Sequence, residues 1–352
     1  MEGLKLQPKS TNAAETASNV AWLESLPKAE LHLHLEGAIP LDALWELILK
    51  YGGDTSVPNR DALKARLTYP NFPAFIEAWV WKNNFLRTYD DFTFIAEAVA
   101  KDLARQNILY SEIFFSPSRF TMESNMTTSE LTAAIRKGLN KTTECEIWLI
   151  PDLVRDHGPE KAENTLNEIS ELNEFGIVGI GMGGSEHIYP PEPYKEIYER
   201  ARNLGLKTSI HAGEAAGAES VRAASEVLQA DRIGHATRAE EDPALIELLF
   251  QKGTALELCP LSNVATGSIK NILDHPVKRY FDKGLNVSIN TDDPGMFHNS
   301  MAQEYEVLMN KFGFDRDSIR QLIINAVQSS WRPKQAGPTL IQQFSDHESW
   351  DK

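Results

Sequence analysis

Short apolar runs alternate with amphipathic stretches of helical length along most of this 352-residue chain. Strands that alternate with helices build a parallel sheet, because each helix carries the chain back to the start of the next strand. The runs that we interpret as strands lie at 29–35, 110–117, 146–154, 178–184, 207–214, 231–236, 253–260 and 286–294. Eight such units predict a closed (β/α)8 barrel, the TIM-barrel architecture.

Helical patterns fill the gaps between the later strands, at 128–144, 159–175, 194–204, 220–229 and 243–252. A (β/α)8 barrel needs about 250 residues. The remaining residues are therefore expected in an insertion after the first strand, at 41–107, and in extra helices that follow Met301. No internal repeat or linker favours a second domain, so we predict a mobile leader at 1–20 and one domain over 21–352.

The charge and the cysteines limit the function classes. The chain carries 35 Lys and Arg against 50 Asp and Glu, a net charge of −15, and no basic run that could follow a phosphate backbone. No apolar stretch approaches the roughly 20 residues of a membrane span. Cys145 and Cys259 are too few for a disulfide framework and fit a reducing compartment. We expect a cytoplasmic protein with a small-molecule substrate and neither nucleic acid nor membrane as partner; the oligomeric state stays open.

Four predicted strands end in residues that bind metals or transfer protons. These residues are His32 and His34, His211 and Glu214, His235, and Asp292 with Asp293. In a (β/α)8 barrel the carboxyl ends of the strands meet on one face, where active sites form. His32 and His34 are two residues apart, so both side chains leave their strand on the same face. Imidazoles and a carboxylate around an open position suit zinc, which can provide hydroxide near neutral pH. The pattern predicts a hydrolase with one divalent ion.

The motifs around these residues resemble those of one family. They are PKAELHLHLEG at 27–37, HAGE at 211–214, RIGHA at 232–236, LCPLSNVATG at 258–267 and SINTDDP at 288–294. In order and spacing the chain is similar to the adenosine deaminase family, the metal-dependent nucleoside and adenine deaminases of the amidohydrolase superfamily. The resemblance runs from residue 26 to beyond 294 and implies a place in purine metabolism.

The resemblance also implies a role for each residue. The implied zinc ligands are His32, His34, His211 and Asp292. Glu214 corresponds to the proton donor to purine N1, and His235 to the residue that orients and activates the zinc-bound water. Asp293 corresponds to a partner of purine N7, and the backbone of Gly184 to a partner of N3. Chemistry agrees for Glu214, since adding hydroxide to C6 of adenine requires an acid beside N1.

Two departures from the family pattern leave the substrate open. Glu36 stands where nucleoside-specific members usually carry aspartate, and Gly181-Met182 where they carry aspartate-leucine. Glu36 resembles relatives that act on adenine or on 6-aminodeoxyfutalosine, an adenine nucleoside of menaquinone biosynthesis with a 5′ benzoate extension. Arg119 could bind that carboxylate. We expect adenosine or 2′-deoxyadenosine as substrate, with the other two compounds as alternatives.

Two rival functions and one further feature remain at this stage. A catalytically silent barrel that binds a nucleoside or a partner protein would lack a ligand or the acid, and none is missing. A hydrolase of an unrelated amide or ester would not need Glu214 and Asp293. The aromatic segment at 69–86 could cover the site. The histidines outside the motifs, including His157 and His275, are expected in loops or at the surface.

Overall fold

A computed structural model describes residues 13–69, 72–336 and 339–351 of the chain. Its strands are β1 Lys28–His34, β2 Ile108–Phe115, β3 Glu146–Pro151, β4 Gly179–Ile180, β5 Lys207–Ala212, β6 Arg232–His235, β7 Ala255–Leu258 and β8 Val287–Ile289. All eight predicted strands are present, and each ends earlier than its sequence pattern indicated. The residues at those carboxyl ends leave the ladder and form the loops above the barrel.

The strands pair in parallel and in chain order, with β1-β2-β3 and β4-β5-β6-β7-β8 as continuous ladders. Single bridges join the two groups. Leu149 pairs with Ile177 between β3 and the start of β4, and Leu33 pairs with Asp292 between β1 and the end of β8. The sheet therefore closes on itself, and the predicted (β/α)8 barrel is confirmed.

The helices of the described residues surround this barrel. They are α1 Ala13–Ser25, α2 Leu41–Lys50, α3 Arg60–Arg66, α4 Phe72–Asn83, α5 Tyr89–Arg105, α6 Pro117–Thr121, α7 Thr128–Leu139, α8 Gly158–Ile169, α9 Lys195–Asn203, α10 Ala218–Glu226, α11 Pro243–Lys252, α12 Pro260–Ala265, α13 Val277–Asp282, α14 Pro294–Phe297, α15 Met301–Phe312, α16 Arg316–Ser329 and α17 Leu340–Ser345. None of them is long and apolar enough to cross a bilayer.

The insertion and the extra C-terminal helices lie where the sequence indicated. Helices α2 to α5 occupy the insertion after β1, and α15 to α17 follow β8. The five predicted helices correspond to α7 to α11, but α7 to α10 end before the predicted boundaries. Of the predicted leader, residues 1–12 lie outside the described part, and 13–20 belong to α1. The mobility of the leader stays a prediction.

Asn290 reinforces the closure between β8 and β1 from inside the barrel. Its Oδ1 accepts hydrogen bonds from the backbone amides of Leu31, at 2.8 Å, and His32, at 3.1 Å. The Asn290 side chain is fully buried. Water therefore cannot replace it as a partner for the two amides.

Replacing Asn290 with Ala should lower the free energy of unfolding by about 2–5 kcal/mol, because two buried amides lose their acceptor. Urea denaturation of the metal-loaded protein measures this change. The exposed Asn310 on α15 provides a matched control, since Asn310→Ala should alter stability by less than about 0.5 kcal/mol. Equal losses in the two variants would contradict the role of Asn290.

Candidate active site

Three histidines and one aspartate converge at the carboxyl end of the barrel. The Nε2 atom of His211 lies 3.1 Å from Nε2 of His32 and 3.0 Å from Nε2 of His34. Oδ1 of Asp292 lies 3.6 Å from Nε2 of His32 and 3.3 Å from Nε2 of His34. One ligand atom of each residue thus lies within 4.8 Å of the others. The four residues that the sequence assigns to a metal are together.

The spacing of these atoms fits one small divalent ion. With zinc–nitrogen bonds of about 2.0–2.1 Å, the corners of a tetrahedron are about 3.3–3.4 Å apart. The four separations above lie on both sides of this value. Burial opposes ionisation of Asp292, but hydrogen bonding to His32 and the neighbouring histidines lower its pKa well below the usual value. A ligand set of neutral imidazoles and a carboxylate suits zinc.

Three of the four ligands have an outer partner that orients them. Nδ1 of His32 lies 2.8 Å from Oε2 of Glu257, and Nδ1 of His211 lies 3.1 Å from the Met182 carbonyl oxygen. The Ser262 hydroxyl donates to Oδ2 of Asp292 at 2.5 Å. These contacts leave the Nε2 atoms of His32 and His211 and the Oδ1 atom of Asp292 directed at the cluster. Partners of this kind set the tautomer and orientation of metal ligands.

The backbone is strained where two strands end in site residues. His235 has φ of 62° and Asp292 has φ of 67°, in the left-handed region that non-glycine residues rarely adopt. Such conformations cost on the order of 1–3 kcal/mol each and persist only where the surrounding structure enforces them. Here both residues, His235 and Asp292, also have their side chains at the metal cluster.

Glu214 sits on a loop that another carboxylate holds in place. The two oxygens of buried Glu186 accept hydrogen bonds from the consecutive amides of Gly213, Glu214, Ala215 and Ala216, at 2.6–3.1 Å. Burial, with the charges of Asp292 and Glu186, raises the pKa of Glu214 to about 8. This shift favours the protonated form of Glu214, which can donate a proton.

His235 is fully buried beside the cluster without belonging to its ligand set. Its Nε2 atom lies 3.5 Å from Oε2 of Glu214 and has no hydrogen-bond partner among the described residues. Its Nδ1 atom lies 3.0 Å from Nδ2 of Asn263. One ring nitrogen is therefore engaged by the protein, and the other is available to a bound molecule.

A cavity of about 330 Å³ opens beside these residues. Five of the predicted site residues border it beside the ligands, namely Glu214, His235, Asp293, Gly184 and Arg119. Burial and the charge of Asp292 raise the pKa of Asp293 well above its usual value. Gly184 has φ of 103°, and a Cβ there would lie 2.0 Å from Oδ2 of Asp156. Only glycine suits that position.

The structure places the two remaining substrate candidates differently. Arg119 on α6 borders the cavity and forms an ion pair with Glu123. Glu36 is 1% exposed and is not among the cavity-lining residues. Its Oε1 atom accepts from the Ser116 amide at 3.0 Å, and Oε2 has no partner in the described part of the chain. A contact between Glu36 and substrate stays a prediction.

Helix α4 supplies one wall of the cavity. Phe75 and Trp79, from the predicted aromatic segment, border the cavity together with Ile76 and Val80. Trp81 instead donates to Oδ2 of Asp54 at 2.9 Å. The side chain of Phe72 lies outside the described residues. The segment is thus a cavity wall in part and a packing element in part.

Sequence reasoning missed several residues that shape this site. They are Asp152, Glu186, Glu257, Ser262, Asn263 and His275. Ser262 and Asn263 lie within the LCPLSNVATG motif, and Asp152 lies at the end of a predicted strand, so position could have indicated these three. His275 was expected in a loop or at the surface. It precedes α13 and is fully buried.

The same substitution at two neighbouring carboxylates should affect the zinc content differently. Asp292→Asn removes an anionic ligand, so zinc and activity should be lost together. Asp293→Asn should keep zinc at the wild-type stoichiometry and lower kcat/KM, because the contact predicted for Asp293 is with the substrate. Elemental analysis after dialysis and steady-state kinetics measure the two effects. Full zinc retention in Asp292→Asn would refute its assignment as a ligand.

Comparison with known proteins agrees with this geometry. The adenosine deaminase family model matches residues 27–347. An adenine deaminase of Chelativorans sp. (strain BNC1) is 33% identical, covering 87% of this chain and 94% of its own. An aminodeoxyfutalosine deaminase of Streptomyces avermitilis is 32% identical, covering 92% of each.

Solved structures are similar over nearly the whole chain. An adenine deaminase from Arthrobacter aurescens superposes with a TM-score of 0.85 at 26% identity, covering 91% of this chain and 98% of its own. A Burkholderia ambifaria amidohydrolase with bound zinc has a TM-score of 0.83 at 25% identity, covering 93% of this chain and 91% of its own. The barrel, the convergent metal cluster and these relatives establish that the chain belongs to the adenosine deaminase family and is a hydrolase of amidine C–N bonds.

Proposed function

We propose that the protein uses one zinc ion to deaminate a 6-aminopurine nucleoside, converting adenosine or 2′-deoxyadenosine to inosine or 2′-deoxyinosine and releasing ammonia. The observation that carries the proposal is that a candidate acid, Glu214, lies at the same cavity as the metal cluster. Glu214, whose raised pKa favours the protonated form, and His235, whose Nε2 has no partner among the described residues, border the same cavity as three of the ligands. A cytoplasmic location, expected from the two free cysteines, is part of the same proposal.

The chain's residues divide the chemistry between them. His32, His34, His211 and Asp292 would hold the ion, which when bound lowers the pKa of water and so supplies a nucleophile near neutral pH. Glu214 donates its proton to purine N1 as the ring accepts charge at C6. Nε2 of His235 faces the oxygen that attacks C6. Asp293 is assigned to N7 and the Gly184 amide to N3.

The size and lining of the cavity support a substituent on the purine. Its volume is about 330 Å³, and Arg119 and His157 line it in addition to Glu214, His235 and Asp293. The apolar side chains of Phe75 and Trp79 on α4 would exclude water from one side of a bound nucleoside. These features favour a nucleoside over free adenine.

A second candidate follows from Arg119. A guanidinium at the cavity wall can bind a carboxylate through two parallel hydrogen bonds. The benzoate of 6-aminodeoxyfutalosine carries such a group. The similarity to an aminodeoxyfutalosine deaminase supports this candidate, and that to adenine deaminases supports free adenine.

Replacing Glu214 with Gln should lower kcat by at least about 1000-fold, because the amide has the shape of the acid but no proton to give. Zinc content should stay at the wild-type value. Glu247→Gln, on the exposed face of α11, is the matched control and should keep full activity. Glu214→Gln with wild-type turnover would refute the acid role.

Ultraviolet absorbance can compare adenosine, 2′-deoxyadenosine, adenine and 6-aminodeoxyfutalosine as substrates of the zinc-loaded enzyme. We expect kcat/KM for the two simple nucleosides to exceed the others by tenfold or more, about 1.4 kcal/mol in transition-state binding. Arg119→Gln should change adenosine turnover less than about threefold and lower turnover of the extended nucleoside by about tenfold or more. Preference for adenine or for the extended nucleoside would replace adenosine as the proposed substrate.

A further inference from the structure

A chain of buried hydrogen bonds leads from a backbone amide to His235. Its members are the Val277 amide, His275, Asn263 and His235, and the three side chains are each fully buried. This series of hydrogen bonds starts at a group with a fixed role, because a backbone N–H can only donate. The direction of every later link follows from this first donor.

The first link sets the protonation of His275. The Val277 amide lies 3.2 Å from Nδ1 of His275 and donates to it, so this nitrogen carries no proton. Burial lowers the pKa of His275 to about 3, which keeps the ring neutral at physiological pH. A neutral imidazole carries one proton. The proton of His275 is therefore on Nε2.

The second link sets the orientation of the Asn263 amide. Nε2 of His275 lies 3.2 Å from Oδ1 of Asn263, so the N–H meets an acceptor. Reversing the amide would place two donors against each other. The carbonyl oxygen of Asn263 thus faces His275, and its NH2 group faces His235.

The last link sets the tautomer of His235. Nδ2 of Asn263 donates to Nδ1 of His235 at 3.0 Å, so Nδ1 is an acceptor. The single proton of a neutral His235 then lies on Nε2. That atom borders the cavity, 3.5 Å from Oε2 of Glu214, and is without a partner in the described part of the chain.

We propose that His275 and Asn263 are positioning residues that hold His235 as the Nε2–H tautomer, so that His235 presents a hydrogen-bond donor to the attacking oxygen. The inference rests on the proposed function, in which His235 meets that oxygen. A donor in this place orients the oxygen and stabilises charge that develops on it. It does not remove the proton as a base.

The matched substitution Asn263→Asp keeps the shape of the side chain and replaces its donor by an acceptor. The carboxylate then requires a proton on Nδ1 of His235. Long-range 1H–15N spectra of histidine-labelled, zinc-loaded protein report which nitrogen of each ring is protonated, and His235→Gln assigns the His235 signals. We expect Nε2–H alone in the wild type and protonated Nδ1 in Asn263→Asp, with kcat/KM lowered at least about 100-fold and zinc retained.

Two further variants keep the test decisive. Asn271→Asp, on an exposed residue whose Oδ1 accepts from the Leu273 amide, adds the same charge and should change neither spectrum nor kcat/KM. His275→Phe removes the first link without touching Asn263, so part of the His235 population should gain a proton on Nδ1 and kcat/KM should fall.

A protonated Nδ1 of His235 in the wild type would overturn the inference. So would a His235 that is protonated on Nε2 alone in both Asn263→Asp and His275→Phe. A wild-type protein that deaminates no 6-aminopurine would instead overturn the proposed function, while the spectra still report on the tautomer. If the tautomer of His235 switches and kcat/KM is unchanged, then His235 does not act on the attacking oxygen. That result would overturn the positioning role of His275 and Asn263.

Discussion

The pairing of the last strand with the first is the interaction on which the site depends. The His34 amide donates to the Asp292 carbonyl oxygen at 2.9 Å, and the Asp292 amide donates to the His32 carbonyl oxygen at 3.1 Å. These bonds close the barrel and place a carboxylate against two histidines that are 258 or more residues away in the chain. Without closure, Asp292 and the two histidines of β1 would lie at opposite edges of an open sheet.

The same closure encloses charges that need partners. Arg232 lies between Glu112, at 2.6 Å, and Glu257, at 2.5 Å, with all three side chains buried, and Glu257 in turn meets His32. A buried charge without a partner would cost several kcal/mol. Each of these three charges thus has an opposite one beside it, and the series of contacts ends at His32, a predicted metal ligand.

The sequence predicted the barrel because strand and helix periodicities are local properties, and eight repeats of one unit leave few architectures. It placed His32, His34, His211 and Asp292 at strand ends for the same reason. It placed strand ends too far along the chain, since Asp292 and its neighbours bend away in loop conformations that no periodicity reports. His275 lies in a loop, as expected, but its burial was not predicted, because burial depends on what packs over a segment from elsewhere in the chain.

Residue types and spacing by themselves determined the fold class and the donor set for a metal, and they indicated a candidate acid beside it. Only the tertiary structure decided how these groups are held. The four amides that hold Glu186, the burial of Glu36 behind Ser116, and the direction of the chain from Val277 to His235 all depend on contacts between distant segments. Hydrogen-bond polarity is set by the nearest partner in space, and that partner is known only once the barrel has closed.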